Sequence, residues 1–255
     1  MIFLLPRAGN ASFSADRFEI LASAEFDDNI AAMKAAILSF PGSNREIDAE
    51  KALRRVGFST VDTLFHTETE AAGYDLMLLP GGFSYGDYLR CGAMAVHSPI
   101  MQALRAHSER GGLVLGVCNG FQILCESGLL PGALVRNNHM KFNCKWVNLS
   151  IETTNSPFTR AYNKGDLICV PVAHGEGNYQ ADADTIKLLE DKDQIAFRYA
   201  GHNPNGSAHD IAGVMNAARN ICGLMPHPED ATAPWHQTQD GLKMFSGLIE
   251  KALAA

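Results

Sequence analysis

The sequence lacks the features of a membrane protein, a nucleic-acid-binding protein or a disulfide-stabilised domain. No stretch approaches 18 consecutive apolar residues, so we predict no membrane span. It has no long run of Lys and Arg, and the formal net charge of −7 argues against a nucleic-acid partner. The six cysteines form no C-x-x-C pair, so we expect reduced thiols in a cytoplasmic protein.

Sequence motifs for cofactors and metals are absent as well. There is no G-x-G-x-x-G for a dinucleotide, no G-K-[ST] for a phosphate loop and no H-E-x-x-H for zinc. His174 and Glu176 stand two residues apart, but no second pair completes a metal-ligand set. We therefore predict no metal and no cofactor in this chain.

What the sequence does contain is an alternation of strands and helices. Its 46% hydrophobic and 19% charged residues suit a globular α/β protein. A mostly parallel central sheet with helices on both faces is predicted, of the flavodoxin-like type, with a small antiparallel β extension after Leu129. The predicted parallel strands are 35–40, 59–65, 74–79, 113–117 and 221–225, the antiparallel strands are 145–151, 167–172 and 194–199, and the helices are 47–56, 98–110, 121–126 and 240–254.

Residues 1–32 stand apart from this pattern. Their apolar run is too short for a signal peptide, and the first clear strand begins only after Met33 and Lys34. Two interpretations stay open: a dispensable N-terminal extension, or a start codon assigned too far upstream. The domain is predicted to span residues 33–255.

Cys118 lies at the centre of the most informative stretch. A buried strand, Leu113 to Val117, runs into the turn Gly116-x-Cys118-x-Gly120, and a helix opens at once. This strand, tight turn and helix are typical of a nucleophile elbow, with cysteine at the nucleophile position. The start of a helix also favours the thiolate over the thiol.

A cysteine nucleophile needs a base and a group that orients the base. Both are found in M-P-H-P-E (225–229), where His227 follows a strand end and Glu229 stands two residues on. A lone histidine or a lone buried cysteine is more often structural, but the elbow cysteine together with H-P-E at a later strand end predicts a catalytic triad. The glycines of P-G-G-F (80–83) leave backbone N–H groups free to share an oxyanion with the Asn119 N–H. Gln122, Arg136, Asn137, Lys141 and Phe142 are candidates for contacting a small zwitterionic ligand, although each taken singly suits the protein surface.

These motifs, in this order and spacing, resemble the class I glutamine amidotransferases. More narrowly, the chain is similar over about 33–253 to the glutaminase subunits of phosphoribosylformylglycinamidine synthase. The narrower resemblance rests on F-P-G-S-N (40–44), P-G-G-F-S-Y-G-D-Y-L-R-C-G (80–92), N-G-F-Q-I-L (119–124), V-A-H-G-E-G-N-Y (172–179) and M-P-H-P-E (225–229).

The resemblance implies a glutaminase half-reaction. Cys118 would attack the side-chain amide of L-glutamine, His227 would move protons and Glu229 would orient His227. A separate synthetase subunit, joined by a small third protein, would bind ATP and Mg and use the ammonia to amidate formylglycinamide ribonucleotide in purine biosynthesis. The oxyanion would be held by Phe83 and Asn119, and substrate would contact Gly82, Gln122, Lys141, Phe142, His174 and Gly175.

Two positions depart from the pattern of the resemblance. Asp230 follows H-P-E where many relatives have Arg, and Arg45 stands where relatives often have Cys. Other interpretations stay open: a free-standing cysteine hydrolase such as a γ-glutamyl hydrolase or a DJ-1-like protein, or a non-catalytic scaffold. The DJ-1-like group usually has His after the elbow cysteine, where this chain has Asn119.

Overall fold

A nine-stranded sheet forms the centre of the fold in the computed structural model, which describes residues 33–250. The predictions for residues 1–32 and for the end of the closing helix, 251–254, lie outside the described residues. Within residues 33–250, no helix is both long and apolar enough to cross a membrane.

The predicted elements are present with small differences at their ends, and four further elements occur between them. The strands are β1 (Lys34–Ser39), β2 (Thr60–Phe65), β3 (Leu76–Leu79), β4 (Leu113–Val117), β5 (Ala133–Val135), β6 (Asn143–Ile151), β7 (Leu167–His174), β8 (Asn178–Gln180), β9 (Ile195–Ala200), β10 (Ile211–Met215) and β11 (Ile221–Leu224). The α-helices are α1 (Glu46–Arg55), α2 (Ile100–Glu109), α3 (Asn119–Glu126), α4 (Ala183–Asp191) and α5 (Leu242–Glu250).

The central sheet has the strand order β2-β1-β3-β4-β11-β10-β9-β6-β7. The first five strands are parallel, and each pair from β11 to β7 is antiparallel. The predicted fold class is confirmed, and the antiparallel extension continues the parallel sheet. A separate pair, β5 and β8, forms a small antiparallel sheet.

Burial explains why the parallel and the antiparallel strands of the sheet have different hydrophobic patterns in the sequence. Every residue of β3, β4 and β11 is buried, as in strands that are covered on both faces. The edge strand β7 alternates between buried and more exposed residues, so that one face packs on the core. Unbroken apolar runs therefore indicate strands that are covered on both faces, and alternating runs indicate strands that are covered on one face.

Strands β5, β8 and β10 and helix α4 were not predicted from the sequence. Strand β10 is short and contains Gly213, which weakens a strand pattern. Helix α4 did carry a signal, because its N-cap Asp182 accepts a hydrogen bond from the Thr185 N–H at 2.8 Å. An aspartate just before an apolar-periodic run is a standard helix start.

Candidate active site

Cys118 lies at the sharp turn between β4 and α3, as predicted. Its φ is 51° and its ψ is −105°, a conformation that non-glycine residues rarely adopt and that is typical of functional sites. Its N–H donates to the Leu224 carbonyl at 2.8 Å, which ties the turn to the end of β11. The side chain is 5% exposed.

Glycines on both sides of Cys118 let the backbone pack closely. A Cβ at Gly120 would lie 2.0 Å from the Leu79 carbonyl oxygen, and one at Gly116 would lie 2.8 Å from the backbone of Gly120. Contacts below 3.0 Å require atoms to move, and here the atoms are backbone. Helix α3 can begin directly above β3 and β4 because both positions lack a side chain.

His227 and Glu229 form the hydrogen-bonded pair that the sequence predicts. His227 Nδ1 and Glu229 Oε1 are 2.7 Å apart, and the two residues are 2% and 3% exposed. The His227 N–H donates to the Pro171 carbonyl at 2.8 Å, and Glu229 lies in a 3-10 helix, Pro228–Ala231. Nε2 of His227 has no hydrogen-bond partner within residues 33–250, so this nitrogen is free for proton transfer.

Strand pairing brings the cysteine and the histidine together. Leu224 at the end of β11 pairs with Val117 at the end of β4, so the segments that follow both strands emerge at one edge of the sheet. A Cβ at Gly81 would lie 2.8 Å from the His227 ring and 3.6 Å from Cys118 Cβ. The two side chains and the glycine loop therefore converge on one point.

The electrostatics of His227 suit a group that carries a proton during a reaction. Burial alone lowers the pKa of His227, but negative charge on Glu229 and Cys118 outweighs burial and holds that pKa well above its usual range. A histidine whose charged form is stabilised in this way suits a group that accepts and returns a proton beside a cysteine nucleophile.

The glycine loop differs from the predicted oxyanion site at one residue. The Phe83 N–H already donates to the Gly42 carbonyl at 2.9 Å, and its side chain is 46% exposed. The Gly82 N–H makes no backbone hydrogen bond within the described part of the chain, and Gly82 lines the pocket beside Cys118. Gly82 therefore replaces Phe83 as the candidate donor, opposite the Asn119 N–H at the start of α3.

A buried chain of hydrogen bonds fixes the loop, the elbow and the far wall relative to one another. Asn119 Oδ1 accepts from the Ser84 N–H at 3.1 Å, and Asn119 Nδ2 donates to Gln122 Oε1 at 2.8 Å. Gln122 Nε2 then donates to the Glu176 carbonyl at 2.7 Å. The side chains of Asn119 and Gln122 are thus committed to shaping the site, a role that their positions in sequence did not reveal.

A cavity of about 260 Å³ opens in front of Cys118. It brings together nine of the residues that the sequence or the resemblance predicts for the site, while Asn119, Asn137, His227 and Glu229 are not among its lining residues. The predicted residues that line it are Gly82, Phe83, Cys118, Gln122, Arg136, Lys141, Phe142, His174 and Gly175, and the others that line it are Asp87, Cys91, Met140, Ala173 and Glu176.

Asp87 and Glu176 supply negative charge that the predicted site did not include. Burial raises the pKa of Asp87, whose Oδ1 has no hydrogen-bond partner in the described structure. Glu176 pairs with Arg136 at 3.5 Å, and Lys141 adds a second cation to the same cavity. Carboxylates and cations in one small cavity complement the ammonium and carboxylate groups of an amino acid.

His174 lines the cavity, but its ring is held by the protein. Nδ1 lies 3.2 Å from Asn137 Oδ1, and Nε2 lies 3.5 Å from Asn205 Nδ2. Burial and the charge of His227 lower the pKa of His174 to about 4, so the ring is neutral at pH 7. These contacts hold the neutral His174 ring in a fixed position on the cavity wall.

The two departures from the resemblance contact each other. Arg45 Nη1 lies 3.2 Å from Asp230 Oδ2 and 3.0 Å from Asp48 Oδ2. His227, Glu229 and Asp230 offer ligand-type atoms within 4.8 Å of one another, but Nδ1 of His227 is taken by Glu229 and Asp230 is taken by Arg45. Nδ1 of His227 and the Asp230 carboxylate are therefore partnered within the protein, whereas Nε2 of His227 and Oε2 of Glu229 have no hydrogen-bond partner in the described residues.

The chain is similar to known glutamine amidotransferases. Residues 32–247 match the CobB/CobQ-like glutamine amidotransferase domain. The chain is 53% identical over 232 residues to the phosphoribosylformylglycinamidine synthase subunit PurQ of Bradyrhizobium diazoefficiens, covering 86% of this chain and 100% of that protein. It is 50% identical to the same subunit from Trichormus variabilis, covering 87% of this chain and 99% of that one.

A solved structure agrees with these relatives. The chain superposes on one in the structure of PurLQS from Thermotoga maritima with a TM-score of 0.80 and 42% identity, covering 86% of this chain and 99% of that one. The chain therefore belongs to the PurQ family, the glutaminase subunits of phosphoribosylformylglycinamidine synthase in purine biosynthesis.

Proposed function

We propose that this chain hydrolyses L-glutamine through a thioester on Cys118 and passes the ammonia to a synthetase subunit. The observation that carries this proposal is the strained Cys118 beside the His227–Glu229 pair, at the mouth of a cavity with charges of both signs. Family membership supports the same activity.

The proposed reaction has two steps. Cys118 Sγ attacks the side-chain carbonyl carbon of glutamine, and the oxyanion that forms accepts hydrogen bonds from the Gly82 and Asn119 N–H groups. The C–N bond then breaks, His227 gives its proton to the departing nitrogen, and ammonia leaves. In the second step His227 takes a proton from water, the hydroxide attacks the thioester, and glutamate is released from the restored thiol.

Each proposed role has its own physical basis. Glu229 keeps the His227 ring oriented and stabilises its charged form through the 2.7 Å hydrogen bond. A backbone donor to an oxyanion is worth about 3–4 kcal/mol in a transition state. The cavity charges from Asp87, Glu176, Arg136 and Lys141 suit the α-ammonium and α-carboxylate of the substrate.

The remaining chemistry belongs to the partners in this proposal. A synthetase subunit binds ATP and Mg and consumes the ammonia to form formylglycinamidine ribonucleotide, and a small third subunit joins the two. The related Thermotoga complex supports an assembly of this kind. The free cysteines suit the reducing cytoplasm as the place of the reaction.

The test is Cys118→Ala in the assembled complex, with Cys144→Ala as the control because Cys144 is an exposed cysteine outside the cavity. Formation of formylglycinamidine ribonucleotide is measured with either glutamine or ammonium as the nitrogen source. We expect Cys118→Ala to lose at least about 10³-fold of the glutamine-dependent rate. The ammonium-dependent rate should stay unchanged.

Other outcomes separate the competing functions. An equal loss with glutamine and with ammonium would make Cys118 a structural residue of the complex. Full glutaminase activity of the isolated chain, without partner, acceptor and ATP, would favour a free-standing hydrolase. No effect of Cys118→Ala on either rate would favour a non-catalytic scaffold.

A further inference from the structure

Arg45 links three segments that surround the triad. It directly precedes α1, and its neighbour Asn44 donates its N–H to the Gly81 carbonyl at 3.2 Å. A Cβ at Gly81 would lie 3.2 Å from Arg45 Cγ and 2.8 Å from the His227 ring. The stem of Arg45 therefore lies on the glycine loop that faces the triad.

The guanidinium of Arg45 reaches the segment that carries the proposed base and its orienting carboxylate. Nη1 lies 3.2 Å from Oδ2 and 3.4 Å from Oδ1 of Asp230, the residue after Glu229. The Asp230 side chain is 23% exposed and that of Arg45 is 34% exposed, so water screens the pair only in part. The Asp230 N–H also donates to the His227 carbonyl at 3.3 Å.

We propose that Arg45 and Asp230 are positioning residues whose ion pair joins the glycine loop to the 3-10 helix of Glu229 and whose charges act with opposite sign on the Cys118–His227 pair. Removing the positive charge of Arg45 makes the pair hold its protons more tightly. Removing the negative charge of Asp230 makes it release them more readily.

Several charged groups surround His227 and influence one another. Burial and Glu229 raise the pKa of Asp230, whereas Arg45 and His227 lower it, so the four groups are coupled. A second, smaller pocket also borders Glu229. The titratable or charged groups facing this cluster are Cys118 from the turn between β4 and α3, His174 from β7, Glu229 and Asp230 from the 3-10 helix, Arg45 and Asp48 at α1, and Lys51, Arg55 and His236 around the smaller pocket.

The test compares Arg45→Met, Asp230→Asn and the double variant. Met keeps an aliphatic stem against Gly81, and Asn keeps the shape of Asp, so each single variant breaks the same ion pair. The matched control is the Arg198–Glu152 pair, 3.4 Å apart with side chains 23% and 31% exposed, changed to Arg198→Met and Glu152→Gln.

Two pH profiles are measured. The first is glutaminase activity of the assembled complex, which rests on the proposed function. The second is the rate at which iodoacetamide alkylates Cys118 in the free chain, followed by mass spectrometry of the Cys118 peptide with Cys144 as the internal reference. The second readout needs no glutaminase activity.

We expect Arg45→Met to move both profiles by about 0.5 pH unit or more to higher pH, and Asp230→Asn to move both by a similar amount to lower pH. The double variant should return close to the wild-type profiles, and the control variants should move neither. If Arg45→Met does not fold, Asp230→Asn decides the question against Asp230→Glu, which keeps the charge.

Shifts in the same direction, or a uniform loss of rate without a shift, would overturn the inference and leave a structural ion pair. Opposite shifts of Cys118 alkylation in the free chain, together with no glutamine hydrolysis by the assembled complex, would support the pair and refute the proposed function.

Discussion

The protein keeps His174 neutral, and this lowers the free energy of unfolding in acid. Its pKa is about 4 in the folded chain, and a histidine in an unfolded chain has a pKa near 6.5. Between these values the unfolded state binds more protons, so the free energy of unfolding falls as the pH drops through this window. His174 therefore favours folding above pH 6.5 and opposes it in acid.

The measurement is urea unfolding of the wild type and His174→Gln at pH 7 and pH 5. From pH 7 to pH 5 the wild type should lose about 2 kcal/mol more than His174→Gln, which has no group to titrate at this position. Equal losses would show that the ring takes up a proton in the folded protein without penalty. The control variant is His202→Gln, because His202 is exposed.

At the scale of elements, the turn from β4 to α3 depends on a glycine inside the helix. Alanine at position 120 would improve helix propensity by about 1 kcal/mol, but its Cβ would lie 2.0 Å from the Leu79 carbonyl oxygen. Overpacking of this kind costs about 1–3 kcal/mol and moves the backbone that carries Cys118.

We expect Gly120→Ala to lower the free energy of unfolding by about 2 kcal/mol and to reduce the glutamine-dependent rate at least tenfold. The control is Gly165→Ala, where φ is 86° and no atom lies within 4 Å of the added Cβ, so only backbone strain is introduced. Gly165→Ala should lower stability by about 1 kcal/mol and leave the rate unchanged. Normal stability and rate in Gly120→Ala would mean that α3 shifts without disturbing the elbow.

At the scale of the whole molecule, large apolar side chains beside the cavity are exposed to solvent. Leu89 is 85% exposed and Tyr88 is 76% exposed, on the loop that carries the cavity residues Asp87 and Cys91. Exposed apolar patches are typical of surfaces that bind a partner. In the proposed function a synthetase receives ammonia from this cavity, so we expect it to contact the loop of Tyr88 and Leu89.

We expect Leu89→Glu to weaken glutamine-dependent synthesis by the complex at least tenfold at limiting subunit concentration, with recovery at high concentration. The control is Leu167→Glu, an exposed leucine at the opposite end of β7 from His174. Pull-down with the synthetase measures the association directly. Undiminished association of the Leu89→Glu variant would place the interface elsewhere.

Short segments of the sequence were enough to predict the reacting groups. The elbow around Cys118 and the H-P-E of His227 and Glu229 are local patterns, and the unbroken apolar runs of β3 and β4 predicted a buried parallel sheet. Parallel strands place the segments after their carboxyl ends at one edge, so the pairing of β4 and β11 follows from the same patterns. Local chemistry and strand direction are therefore enough to predict the proposed triad of Cys118, His227 and Glu229.

Tertiary structure alone decided what surrounds the triad. Arg45 and Asp230 are 185 residues apart in the chain, and no local pattern pairs them. The Phe83 N–H is taken by Gly42 because the two loops run side by side, which leaves Gly82 as the candidate donor. Whether a polar group is free or already partnered depends on distant segments that meet only in the folded chain.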